Sequence, residues 1–128
     1  MDNMFRNCPS LTNISEMDTS NVTSMKYMFN SCSSLTSVPE MNTSNVTDML
    51  YMFGRCKKIT DLGGFIGLKV DLYLGESNLL THDSLLNVIN KAADVTASPK
   101  TLTLGSANLA KLTDEEKAIA TNKGWTLA

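Results

Sequence analysis

Met25-Lys26-Tyr27-Met28-Phe29-Asn30-Ser31-Cys32 returns 24 residues later as Met49-Leu50-Tyr51-Met52-Phe53-Gly54-Arg55-Cys56. The same stretch stands 24 residues earlier as Met1-Asp2-Asn3-Met4-Phe5-Arg6-Asn7-Cys8. Residues 1–24 laid on 25–48 are identical at 14 of 24 positions without a gap. A third copy opens at Met49, continues through Ile59, Thr60 and Leu62, and decays at Gly63-Gly64. A period of this length falls among the short solenoid repeats and below the helical-pair repeats of about 33 residues or more.

Within each copy Met, Met, Phe and Cys stand at i, i+3, i+4 and i+7, the spacing of one apolar stripe on two helical turns. Thr23 or Ser24, and Thr47 or Asp48, are the matching N-cap candidates. A short β-prone run follows each Cys: Leu11 to Ile14, Leu35 to Val38, Ile59 to Leu62. Asp18 to Thr23 and Asn42 to Thr47 are Asx- and Ser/Thr-rich turn material. One such unit cannot bury its own apolar face, so it is stable only when stacked on a neighbour, with strands about 4.8 Å apart.

From about Leu68 the unit lengthens. Asp71-Leu72-Tyr73-Leu74-Gly75 is echoed 30 residues on by Thr101-Leu102-Thr103-Leu104-Gly105. Both alternate with period 2 and each precedes a helix signal. The first helix is expected over His82 to Ala93, capped by Thr81 or His82-Asp83, with Leu85, Leu86, Val88 and Ile89 on its apolar face. The second opens at Thr113-Asp114-Glu115-Glu116, which fits a capping box, and ends near Lys123-Gly124. Trp125 is expected to cover the last coil. These features predict an α/β, leucine-rich-repeat-like solenoid of about five coils, with one short parallel strand and one short helix per coil. Its domain is continuous: 1–66 hold three 24-residue repeats and 67–128 two longer strand–helix units that form a cap.

The bulk composition narrows function. In 128 residues there are 42% hydrophobic and 19% charged residues, a net charge of −2 and one histidine. Near-neutral charge does not favour nucleic acid as a partner. No run approaches the ~20 apolar residues of a membrane-spanning helix. Met1 to Arg6 carry an acid where a signal peptide has a basic region. A single histidine removes His-based metal sites and disfavours acid–base catalysis. No nucleophile, base and oxyanion set is legible, so no catalytic residue, metal or cofactor is expected.

The segments Met28-Phe29-Asn30-Ser31-Cys32-Ser33-Ser34-Leu35-Thr36 and Asn42-Thr43-Ser44-Asn45-Val46-Thr47-Asp48-Met49 resemble the BspA-like leucine-rich repeat family, in its DUF285-type surface-protein subtype. The resemblance covers residues 1–62. It implies a right-handed solenoid, a bacterial surface or secreted setting, and adhesion or protein binding. It carries over no catalytic residue.

Each remaining motif has a structural reading beside a functional one. Cys8, Cys32 and Cys56 fall one per repeat, without C-x₂₋₄-C metal spacing, and read as buried free thiols rather than a disulfide. Asn21 and Asn45 match the glycosylation sequon but read as a ladder of turn-satisfying amides. The eight methionines read as core, Met17 and Met41 least firmly. His82 reads as an exposed capping-region residue. The acids of Asp114-Glu115-Glu116, and the bases of Arg55-Lys57-Lys58 at an expected helix C-terminus, read as complements to helix dipoles.

What remains is a polar strip on the strand face: Thr12, Asn13, Thr36, Ser37, Thr60, Asp61, Asp71, Tyr73, Thr101 and Thr103. Solenoids commonly bind on this face. The expected role is a non-enzymatic module for a protein or glycan ligand, with self-association through an uncapped N-terminal end as a further possibility for the chain. The alternative is a structural or assembly segment of a longer array or of a phage tail-associated protein.

Overall fold

The computed structural model describes residues 1–128. Mixed α/β architecture results: short parallel strands and few helices. The strands are β1 (Ser37–Val38), β2 (Met41–Asn42), β3 (Asp61–Leu62), β4 (Phe65–Ile66) and β5 (Leu72–Tyr73). Then come α1 (His82–Lys91), β6 (Lys100–Thr103), α2 (Ser106–Leu109), α3 (Asp114–Asn122) and β7 (Trp125–Leu127). All pairings are parallel: β1 with β3, β2 with β4, and β5 with β6 with β7. Ser37 faces Asp61 and Leu72 faces Leu102, the offsets the sequence repeats contain. No helix is long and apolar enough to cross a membrane.

The Met/Phe/Cys stripe is buried in the second and third repeats, whereas in the first Met4 is 53% exposed and Met1, Phe5 and Cys8 are half-buried; in none of the three is it a helix. Residues 25–28 and 29–32 are two consecutive four-residue turns, closed by Met28 N–H to Met25 O (3.3 Å) and Cys32 N–H to Phe29 O (3.0 Å). The third residue of each turn is left-handed: Tyr27 at φ 55° and Ser31 at 64°, Tyr51 at 50° and Arg55 at 62°, Asn3 at 60° and Asn7 at 58°. A positive φ at that position forbids a continuing helix and suits a type II-like turn. The alternate amides are then free to leave the unit. Met25, Tyr27, Phe29 and Ser31 donate to the carbonyls of Asp48, Leu50, Met52 and Gly54 at 2.8–3.0 Å. Asn3, Phe5 and Asn7 donate in the same way to Lys26, Met28 and Asn30. A helix would spend these amides internally; the turns spend them on the next repeat.

The N-cap expectations at Thr23, Ser24, Thr47 and Asp48 therefore fall. Ser24 and Asp48 instead face each other in a parallel bridge. The Arg55-Lys57-Lys58 reading as a dipole complement falls with its helix. The expectation of one strand and one helix per unit is also corrected. The second and third repeats each carry two two-residue strands and no helix, while helices belong to 82–122. Leu11 to Ile14 forms no strand, though Thr12 O accepts Thr36 N–H at 2.8 Å. Met41 lies in β2 and is buried.

The core is one continuous cluster of 29 residues running from Met25 to Trp125. Phe5, Phe29 and Phe53 stack at 5.5 and 5.6 Å along it, and Phe65 closes the column at 5.9 Å with a tilted ring. Aromatic pairs of this geometry add about 0.5–1.5 kcal/mol each beyond their burial. The Cys32 and Cys56 thiols lie inside and donate to Phe5 O (2.9 Å) and Phe29 O (3.0 Å). All three cysteines are free. Thr19 and Thr43, also buried, donate to Asn42 O and Ile66 O at 2.9 and 3.0 Å. This threonine ladder is the buried polar rung that the sequence reading assigned to asparagine. Asn45 supplies one rung, to Ser20 O at 2.7 Å, and is otherwise exposed.

Helices replace strands where the repeat decays. α1 packs on β3 and β4. Its Ser84 and Asn87 side chains bond Leu62 N–H and Leu62 O at 2.9 and 3.0 Å. Gly64, at φ 97°, makes this approach possible: a Cβ there would stand 2.7 Å from Asn87 O. Thr81 caps α1 and Thr113 caps α3 in a full capping box, as the sequence predicts. The Glu116 carboxylate of that box also reaches His82 Nε2 (2.6 Å), tying the first turns of α1 and α3 together. α2 is a single extra turn, placed by Asn108, whose buried amide donates to Ser77 O and Leu104 O at 2.9 Å. Trp125 is buried in β7 and donates through Nε1 to Ala93 O at 3.0 Å.

Candidate functional site

The repeats at 1–56 present compact turns on the face where the later units present straight strand. Residues 49–56 spend eight residues on two turns; the next unit is extended only at Leu72–Tyr73 and then makes a single turn, closed by Ser77 N–H to Leu74 O at 3.0 Å. Ser77 Oγ donates to Cys56 O at 2.9 Å, and Arg55 N–H to Glu76 Oε2 at 2.6 Å. An extended strand rises about 3.3 Å per residue, so fewer residues cover the same path. Hydrogen bonds join the two units at Glu76 and Ser77, and none joins residues 49–52 to β5. Met49 and Tyr51 occupy the positions of Met25 and Tyr27, whose amides cross to the next unit at 2.9 Å; their own amides donate to no protein group.

A cleft of about 720 Å³ opens at this mismatch. One wall is Thr47 to Tyr51, the other Val70 to Tyr73, with Glu76, Lys100, Thr101 and Thr103 completing it. The volume lies within the range of small-ligand sites, ~300–1,000 Å³. Tyr51 and Tyr73 stand partly exposed at 50% and 39%. Tyr51 stacks on Tyr27 at 5.8 Å, and the Arg6 guanidinium lies 4.9 Å from the centre of the Tyr27 ring. Tyr73 folds over Gly75, where a Cβ would stand 2.9 Å from its Cζ. Carboxylates outnumber cations on the lining. Asp71 Oδ1 accepts Thr101 N–H (2.7 Å), and Asp48 pairs with Lys26 (3.5 Å).

The sequence-derived strip divides in two. Thr12, Thr36 and Thr60 form one file: Thr36 and Thr60 each donate N–H and Oγ1 to the threonine carbonyl before them, at 2.8–3.3 Å. Thr81 N–H ends the file on Thr60 O at 2.9 Å. Ser37 and Asp61 pair beside it in β1 and β3; Asn13 is exposed next to Thr12. Asp71, Tyr73, Thr101 and Thr103 belong to the separate β5–β6–β7 sheet and line the cleft. The single-strip reading is corrected for a physical reason. In the units after Leu68, α1 takes the place beside β3 that a next strand would have filled, while β5 pairs with β6 and stands across the cleft from residues 47–51. Leu50 and Tyr51 were missed because the stripe around them read as a helix rather than as one wall of a groove.

Residues 1–66 match the family model described as Mycoplasma protein of unknown function, DUF285. The chain belongs to the DUF285 family. Neither the curated proteins nor the solved structures yield a match. The DUF285 segment ends at Ile66, the last residue of β4, so one wall of the cleft lies within it and the other beyond it.

Proposed function

We propose that this DUF285 chain is a non-enzymatic recognition module, built as a right-handed leucine-rich-repeat-like solenoid of about five coils. It binds a protein or glycan ligand at a bacterial surface. The observation that supports it is the cleft between the third repeat and β5. Two partly exposed tyrosines, unpartnered amides and several carboxylates converge there on rigid backbone. The carboxylates of Asp18 and Asp94 are engaged by the hydroxyls and amides of Ser20 and Thr96, which makes them turn-formers rather than acid–base groups. The test is an array screen of extracellular-matrix proteins and glycans with the full chain and its Tyr73→Ala variant. A ligand that binds the chain and loses affinity on Tyr73→Ala, with Tm unchanged, supports the reading. Ligands bound equally by both place recognition elsewhere.

A second reading is an assembly segment of a longer array. One observation favours it. Phe5, Cys8, Leu11, Ile14, Met17 and Val22 are only half-buried, whereas their counterparts in the second repeat are largely buried. That face would accept another coil. Solution mass decides: self-association that buries Cys8 supports assembly, and a monomer with Cys8 reactive supports the recognition reading.

A further inference from the structure

We infer that the cleft seats an extended peptide segment that carries an arginine or lysine side chain, an assignment that rests on the recognition reading above. Three independent features converge on that chemistry. The first is the row of amides. In the second repeat, Met25 and Tyr27 deliver their N–H groups to carbonyls two residues apart, Asp48 and Leu50. Met49 and Tyr51 repeat that geometry with nothing to receive it. A chain with carbonyls at every second residue on one edge supplies the missing acceptors.

The second feature is the opposite wall. Leu74 N–H donates to Thr103 O at 2.7 Å, on the β6 side of β5. Backbone groups alternate in direction along a strand, so those of Tyr73 point the other way, into the groove. The slot therefore has a donor row on one side and a free strand edge on the other. That is the arrangement used when a peptide adds as a strand, with main-chain bonds giving affinity and side-chain pockets giving selectivity.

The third feature is charge with aromatic surface. Asp48, Asp71 and Glu76 line the groove against a single lysine, Lys100. Asp71 and Glu76 each hold one backbone amide with one oxygen and have no cation paired to them. Tyr27 already holds the Arg6 guanidinium at 4.9 Å and stacks with Tyr51 at 5.8 Å. The outer side of Tyr51 faces the groove, so a second cation completes the column from the far end.

The experiment is an amide-resolved NMR titration of the full ¹⁵N-labelled chain with three probes. These are a capped octapeptide of alternating Thr and Arg, its Thr/Glu counterpart, and an N-acetylglucosamine tetramer. The expected result is movement of the Met49 and Tyr51 amides by the Arg peptide, with Thr12 and Thr36 still. The Glu peptide should bind about tenfold more weakly, because like charge opposes it. The D71N/E76Q variant keeps both amide acceptors; it should fold with the same Tm and lose about fivefold in affinity, the scale of two exposed ion pairs. Equal binding of the Glu peptide overturns the proposal, as does full affinity after N-methylation of alternate peptide amides. Movement of those amides by the sugar and not by the Arg peptide overturns it while leaving the recognition reading standing. Silence with all three probes overturns both.

Discussion

The Phe5 ring lies 5.5 Å from the Phe29 ring, within 4° of parallel, although the two residues are 24 positions apart in the chain. Phe53 continues the column at 5.6 Å from Phe29. Phe29 thus contacts both neighbouring repeats at once. Phe29→Ala removes two stacked pairs and opens a cavity in the middle of the core. The expected loss is about 3–5 kcal/mol, read as the fall in urea midpoint. Phe5→Ala, at the half-exposed end of the column, should cost clearly less.

Ser31 separates turn from helix directly. At φ 64° its backbone favours glycine, whereas in a helix interior glycine costs about 1 kcal/mol. Ser31→Gly should therefore leave stability unchanged or raise it by about 0.5 kcal/mol, since relief of the left-handed strain outweighs the extra unfolded-state entropy. Ser31→Val should lower it by more than 1 kcal/mol, roughly the cost of a β-branched residue at positive φ. Thermal melts of the pair check this; a drop for glycine would restore the helix.

The cysteines should differ sharply in reactivity. Burial pushes the Cys56 thiol up to about 12 and raises Cys32 as well. Cys8 is half-buried at the outer face. Thiol titration of native protein at pH 8 should label Cys8 first and leave the other two protected until denaturant is added. Rapid native labelling of Cys56 would show that its repeat is not packed as described.

Stability should fall on the acid side. The Ser20 hydroxyl and amide hold the Asp18 carboxyl below the usual range, and the Thr96 amide and hydroxyl do the same for Asp94. The Thr113 amide lowers Glu116. Each folded pKa lies below its unfolded value. The contribution is therefore complete above about pH 5 and is lost as pH falls through about 4 and then through the lower folded values. Asn42 makes the same turn without titrating, accepting Ser44 N–H and Oγ at 3.0 and 2.6 Å. Asp18→Asn should thus keep the turn and flatten its share of the acid limb in melts between pH 3 and 6.

Period and register were legible in the residues: identical side chains at a spacing of 24 must meet if the units stack, and they do in the Phe column and the Thr12–Thr36–Thr60 file. The capped helices were legible because Thr81 and Thr113 carry local signals that act without tertiary help. The turns were not. Two back-to-back four-residue turns bury their first and last residues, positions 25, 28, 29 and 32, the same set a helix would bury. Only Asn3 and Asn7, residues tolerant of positive φ, hinted at the difference. The cleft was hidden for the same reason. Its cause is a mismatch between turn and strand, so it could not be read while the turns stood as helix.

Amide hydrogen exchange tests the central claim most directly: that a main-chain ladder joins the repeats and stops at the cleft. The Met25, Tyr27 and Phe29 amides should exchange slowly, near the global unfolding limit, because each is bonded to the next repeat. The Met49 and Tyr51 amides, identical in repeat position, should exchange far faster in the same sample. Comparable protection at both sets would contradict the account.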